Sequence, residues 1–311
     1  MKRILFGVLW LAALAAAGAA LGHRFVPPHL VAAGLKITGA GVGGLLGGLL
    51  FFVLAGVNAL PGARLRRGAP VVWGWRQAVW MIVQFFTMQA AAQIALAMLA
   101  LLGARLAPRL HVTLAGAAGD LAVGAVVAGY LAAAWWSFWY IGRLGPARLA
   151  DGSLAGIGWR AAPARAYLAA AACLVIVGAA SIVVQHVLPP GKTGADNPFA
   201  QIFGPQPWKI AALFLIAAVV APFLEELVYR GGMIAALAPK LGGVWAGAVT
   251  SVVFTACHAE EFSSYHPGIL VILVVAVLLA WLRLTYGSIR PGILLHVLFN
   301  GIGVAMMALG G

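Results

Sequence analysis

Apolar runs of about twenty residues follow one another along this chain, separated by short segments that carry most of its basic residues. Wound as a helix rising about 1.5 Å per residue, such a run matches the ~30 Å hydrocarbon thickness of a bilayer. The pattern predicts an all-α fold: a polytopic transmembrane helical bundle of about eight to nine spans. Composition agrees, since 63% of the 311 residues are hydrophobic and 9% charged, too apolar for a soluble domain. The residue alternation of an outer-membrane barrel is missing from the sequence.

A net charge of +13 raises the question of nucleic acid. The bases lie between apolar runs and do not line a groove with interleaved aromatics, so no nucleic-acid partner is expected. Their placement reads as topology. With nine spans and a cytoplasmic N-terminus, fourteen bases fall inside, among them Arg64, Arg66, Arg67, Arg143, Arg283 and Arg290. Six fall outside: Arg24, Lys36, Arg105, Arg109, Lys192 and Lys209. That asymmetry predicts a multi-pass protein of the cell (inner) membrane. The two cysteines, Cys173 and Cys257, sit inside apolar runs and read as buried free thiols.

In chain order, residues 1–190 form an N-terminal transmembrane region of about five helices, 191–207 a linker, and 208–309 a C-terminal helical region. The first run, 4–21, is longer than the apolar core of a signal peptide and reads as a span, despite a cleavage-like Ala17-Gly18-Ala19. The second, 39–60, opens on Gly39-Ala-Gly-Val-Gly-Gly44. With no strand before it, this is a close helix-packing face and not a dinucleotide site. Spans over 78–102, 117–140 and 166–187 follow. The amides of the first, Gln77, Gln84, Gln89 and Gln93, read as packing groups, and Trp135 to Tyr140 as an interfacial aromatic belt. His186 reads as interfacial. Four apolar helices complete the chain, over 208–237, 242–258, 268–284 and 289–309, with Glu260 and Glu261 in an outer loop.

The chain has four glutamates, and two of them, Glu225 and Glu226, lie in an apolar run. A charge at mid-membrane depth costs about 2.5–3.5 kcal/mol on insertion scales, so residues kept there are candidates for function. Arg230 is one turn from Glu226 and pairs with it, which leaves Glu225 on another face. Phe254 and His258 share a face of the next helix, and His296 and Asn300 share a face of the last. These groups suit water activation. A carboxylate kept from bulk water can serve as a base, and His258 can hold the water. His296 and Asn300 can donate to a forming oxyanion. Alternatively Glu225, His258 and His296 hold Zn²⁺, although the His-Glu-x-x-His zinc helix is absent. Depth is a difficulty: His258 is ~24 Å along its helix from Gly242, but His296 only ~9 Å from Arg290, so the helices must tilt or start at different heights.

Glu225-Glu226-x-x-x-Arg230, Phe254-x-x-x-His258 and His296-x-x-x-Asn300, in this order, resemble the three motifs of the CPBP family of intramembrane proteases, which contains the CAAX prenyl endopeptidases and bacterial Abi-type proteins. The resemblance covers about residues 208–305. It implies an intramembrane endopeptidase that cleaves a membrane-associated or lipidated peptide with a glutamate-activated water. Glu225 and His258 would then activate the water, His296 and Asn300 form the oxyanion site, and Glu226 and Arg230 hold the helix. Phe254 would be a supporting residue. No cofactor is required in this reading, with Zn²⁺ the metalloprotease alternative. A non-catalytic scaffold or immunity protein of the same fold is the rival function. A proton-coupled transporter is less favoured, because the two halves show no repeat.

Overall fold

Wherever an apolar run is described it is helical, because a helix satisfies its own backbone where lipid offers no hydrogen bonds. A computed structural model describes residues 74–106, 117–142, 146–189, 206–258 and 267–308, all within one compact unit, Leu65–Gly311. Among the described residues there is no strand. In order they form α1 (Trp75–Leu106), α2 (Ala117–Gly142), the short α3 (Pro146–Ala150) and α4 (Ala164–Val187). Then come α5 (Pro207–Leu241), α6 (Gly243–Cys257), α7 (Gly268–Tyr286) and α8 (Arg290–Ala308). Five of these hold stretches long and apolar enough to cross a membrane, in α1, α2, α4, α5 and α7, while α6 and α8 are shorter apolar helices. The predicted spans from 78 onward therefore fall on observed helices. The spans at 4–21 and 39–60, the glycine face, the linker from 191 to 205, and Glu260 and Glu261 lie outside the described residues.

In lipid, helices associate through packing and polar contacts more than through apolar burial. α1 and α2 meet at small residues: a Cβ on Gly129 would stand 3.2 Å from the Gln89 carbonyl oxygen. Gln84 is buried. The predicted aromatic belt divides. Trp135, Phe138 and Trp139 are exposed, whereas Trp136 and Tyr140, one turn apart, are buried and stack at 4.8 Å between ring centroids. α4 packs Ala170, Cys173 and Val177 against Val271, Val275, Leu279 and Leu295 of α7 and α8. Cys173 is buried as expected, but Cys257 is exposed. Lys209 pairs with Asp120 at 2.9 Å and ties the start of α5 to α2. His186 is exposed at the end of α4.

α5 is the irregular element. It contains two π-helical stretches, Phe214–Val220 and Glu226–Met233. π turns are rare and gather at functional sites. Pro222 follows one residue after the first, beyond Ala221, and it has no N–H to close the ladder. The second spans Gly231 and Gly232 and begins at Glu226.

The loop from Arg143 to Arg165 reads from sequence as basic and rich in Gly, Pro and Ala, but its stretch between α3 and α4 is partly packed into the bundle. Ile157 is fully buried, and a Cβ on Gly231 would fall 2.9 Å from the Ile157 Cγ2. The guanidinium of Arg283 holds the segment, donating through Nη2 to the carbonyls of Ser153 (3.0 Å) and Gly156 (2.6 Å). Its Nε donates to the Arg230 carbonyl at 3.3 Å. Ile289 N–H donates to the Gly158 carbonyl at 3.0 Å, and Gly158 turns the chain with φ +77°. Hydrogen bonds from the Ser153 N–H and hydroxyl hold the Asp151 carboxyl below its ordinary range.

Candidate active site

α5, α6 and α8 bring three side chains to one point. Glu225 Oε2 stands 3.7 Å from His258 Nε2 and 3.7 Å from His296 Nε2. The Glu225 and His296 side chains are buried, at 9% and 4% exposure, and that of His258 is 15% exposed. His258 lies at the C-terminal cap of α6, and its Nδ1 is 2.8 Å from the Phe254 carbonyl oxygen. His296 lies on α8 with Nδ1 3.3 Å from Glu226 Oε1. A carbonyl or carboxylate oxygen only accepts, so both Nδ1 atoms carry hydrogen. In its neutral form each ring then turns a lone pair on Nε2 toward Glu225. Three acceptors facing one another at this spacing need a shared proton, a bridging water or a cation between them.

Glu226 is fully buried and does a different job. Its Oε1 accepts from Arg230 Nη1 at 2.9 Å, one turn on, as the sequence spacing predicts. Arg230 is also fully buried, and its Nη2 donates to the Ala276 carbonyl of α7 at 3.1 Å. Its guanidinium carbon sits 4.3 Å from the Phe254 ring centroid. Phe254 in turn stacks tilted on His258 at 4.3 Å and edge-on to His296 at 5.7 Å. The Phe254 ring thus touches the Arg230 guanidinium and both imidazoles.

Asn300 is not in this cluster by hydrogen bond. Its Nδ2 donates to the Ala217 carbonyl of α5 at 2.8 Å. Gly292, one turn before His296, is a participant that its motif spacing does not reveal: a Cβ there would stand 2.7 Å from Glu226 Oε2. The depth mismatch is met by geometry. Counted from the observed starts at Gly243 and Arg290, His258 and His296 are about 22 Å and 9 Å along their helices yet face one carboxylate oxygen, so α6 and α8 are tilted or start at different heights.

The three atoms that could take a metal are Glu225 Oε2, His258 Nε2 and His296 Nε2. Two His and one Glu are a donor set suited to zinc. As the side chains stand, no group of three or more His, Cys, Asp or Glu among the described residues is arranged to hold a metal ion.

A buried carboxylate and two imidazoles thus meet inside a bundle of apolar helices, an arrangement that marks a candidate functional site. Residues 207–302 match the family model described as type II CAAX prenyl endopeptidase Rce1-like. All three motifs, from Glu225 to Asn300, lie inside the matched region. No curated protein and no solved structure matches the chain significantly.

Proposed function

We propose that this protein is an intramembrane endopeptidase, with Glu225 as the base that activates a water. The observation that carries the reading is the convergence of Glu225, His258 and His296 at 3.7 Å spacings in a buried site. That spacing suits a water bridging the Glu225 carboxylate and the His258 Nε2 lone pair. The water oxygen attacks the peptide carbonyl carbon while Glu225 takes one proton. His296, as an imidazolium supported at Nδ1 by Glu226, donates from Nε2 to the oxyanion. Glu225 then returns the proton to the amine as the C–N bond breaks; the carboxylic acid so formed gives its remaining water proton to the new amino terminus or to solvent and leaves as a carboxylate.

The substrate class is a membrane-associated or lipidated peptide, in keeping with the family model's description. The distribution of bases supports an inner-membrane location with the N-terminus inside. The glutamate mechanism requires no metal. In the metalloprotease alternative Glu225, His258 and His296 would hold zinc, which would polarise the carbonyl and acidify the water.

The test is cleavage of lipidated and unlipidated peptides by the purified protein in proteoliposomes, beside Glu225→Ala and His258→Ala. Cleavage by wild type and loss of about 10²-fold or more in both variants is expected. Equal cleavage by all three proteins would remove the reading.

A further inference from the structure

The contact between Asn300 and Ala217 has a local cause in α5. Ala217 lies in the π-helical stretch Phe214–Val220, where the N–H of each residue reaches the carbonyl five back. The Ala221 N–H bonds to the Ile216 carbonyl in that register. The next pair in the series is Pro222 to Ala217, and Pro222 has no N–H to give. The Asn300 amide occupies that acceptor from the side, at 2.8 Å. Beside it α8 and α5 are in contact, since a Cβ on Gly301 would sit at ordinary packing distance, 3.7 Å from the Phe214 ring and 3.9 Å from Ala218 Cβ. His296 is one turn before Asn300 on α8, and Glu225 is three residues after Pro222 on α5. The same pair of helices therefore carries both the Asn300–Ala217 bond and the His296–Glu225 approach.

We propose that Asn300 is a positioning residue whose side-chain amide replaces the hydrogen bond Pro222 withholds from Ala217, and so sets α8 at the height that brings His296 to Glu225. Its activity readout rests on the endopeptidase reading above; its structural readout does not. The role differs from the oxyanion donor that the resemblance implies. A donor to the reacting carbonyl is needed whatever stands at 222, whereas a stand-in for a missing backbone N–H becomes dispensable once that N–H is restored.

The experiment is a double-mutant cycle on the full chain in detergent: wild type, Asn300→Ala, Pro222→Ala and both together, with Tm, kcat and KM measured for each. With Pro222 present, Asn300→Ala is expected to lower Tm and to cut kcat about tenfold or more, with little change in KM. With alanine at 222, the same Asn300 change is expected to alter kcat less than about twofold and to leave Tm nearly unmoved. A kcat loss of the same size in both backgrounds overturns the proposal. An uncoupled Tm in an enzyme that cleaves overturns it while leaving the protease reading intact. A coupled Tm in a protein that cleaves nothing keeps the Asn300–Pro222 link and sinks the protease reading instead. Should Pro222→Ala not fold, Asn300→Asp decides, because it keeps the size and, ionised, has no donor. A joint fall in Tm and kcat supports positioning, and a kcat loss at unchanged Tm contradicts it.

Discussion

Arg230 and His296 share one oxygen of Glu226, at 2.9 Å and 3.3 Å. The buried ion pair and the imidazole are thereby one unit, so the charge that balances Arg230 also fixes the tautomer of His296. Glu226→Gln keeps the shape and removes the charge. It leaves the fully buried Arg230 guanidinium without its counter-ion, a loss that costs about 3–5 kcal/mol in comparable buried pairs. A clearly lower Tm in detergent and a kcat reduced by about 10² are expected, because His296 loses the carboxylate that orients its ring through Nδ1. An unchanged Tm would show that the pair is not held as described.

Phe254 lies under the Arg230 guanidinium at 4.3 Å and against both imidazoles. Phe254→Leu retains apolar bulk but removes the ring face that attracts the cation, an effect of about 0.5–2 kcal/mol. It also frees the two rings to turn. The expected outcome is a kcat reduced by about tenfold at nearly constant KM, since ring orientation matters more to the chemistry than to substrate capture. Steady-state kinetics on the purified variant checks this. A KM change alone would point to a substrate-binding role.

A methyl group at position 292 has no room, because it would approach Glu226 Oε2 to 2.7 Å. Gly292→Ala must push the carboxylate away from Arg230 and His296. A displacement near 1 Å can cost about 10² in rate, and that is the loss expected. Gly178→Ala in α4 is the control, since a Cβ there meets nothing within 4 Å. There the lower backbone entropy of the unfolded chain leaves Tm equal or slightly raised and kcat unaffected.

The bundle was legible because run length and the periodic 4-spacings are one-dimensional signals. The length of a span, the Glu226–Arg230 turn and the pairing of Phe254 with His258 need only a helix and its period. What stayed hidden depends on partners far away in sequence. Nothing local marks Ile157 as buried; it becomes so because Arg283, over a hundred residues on, donates to the Ser153 and Gly156 carbonyls. Trp136 and Tyr140 sit in an aromatic run that resembles a lipid-interface belt, and only the packing of α2 turns them inward. The level of His296 against His258 could not be read from distance along each helix, because tilt is set by packing. The partner of the Asn300 amide, the Ala217 carbonyl on α5, lies 83 residues away and leaves no mark in the spacing of its own motif.

Arg283 gives a prediction that leaves the reacting groups untouched. Its Nη2 and Nε hold the segment around Ile157 and the Arg230 carbonyl. Arg283→Met keeps the stem and removes every donor, leaving three carbonyls short of a partner. Hydrogen bonds to charged groups contribute about 1.5–3 kcal/mol, so Tm falls and amide exchange accelerates over 153–158 before it does in α7. Exchange mass spectrometry resolves the order. Uniform acceleration across the bundle would mean that the segment is not held by this side chain.

The central claim is that the Glu225 carboxylate, facing His258 and His296, performs the hydrolysis. It is tested most directly by cleavage of a membrane-presented peptide by the detergent-solubilised protein, wild type beside the near-isosteric Glu225→Gln, each with and without a zinc chelator. The account predicts cleavage by wild type that survives the chelator, and loss of about 10² or more in Glu225→Gln at unchanged Tm. Cleavage by Glu225→Gln at the wild-type rate would contradict it.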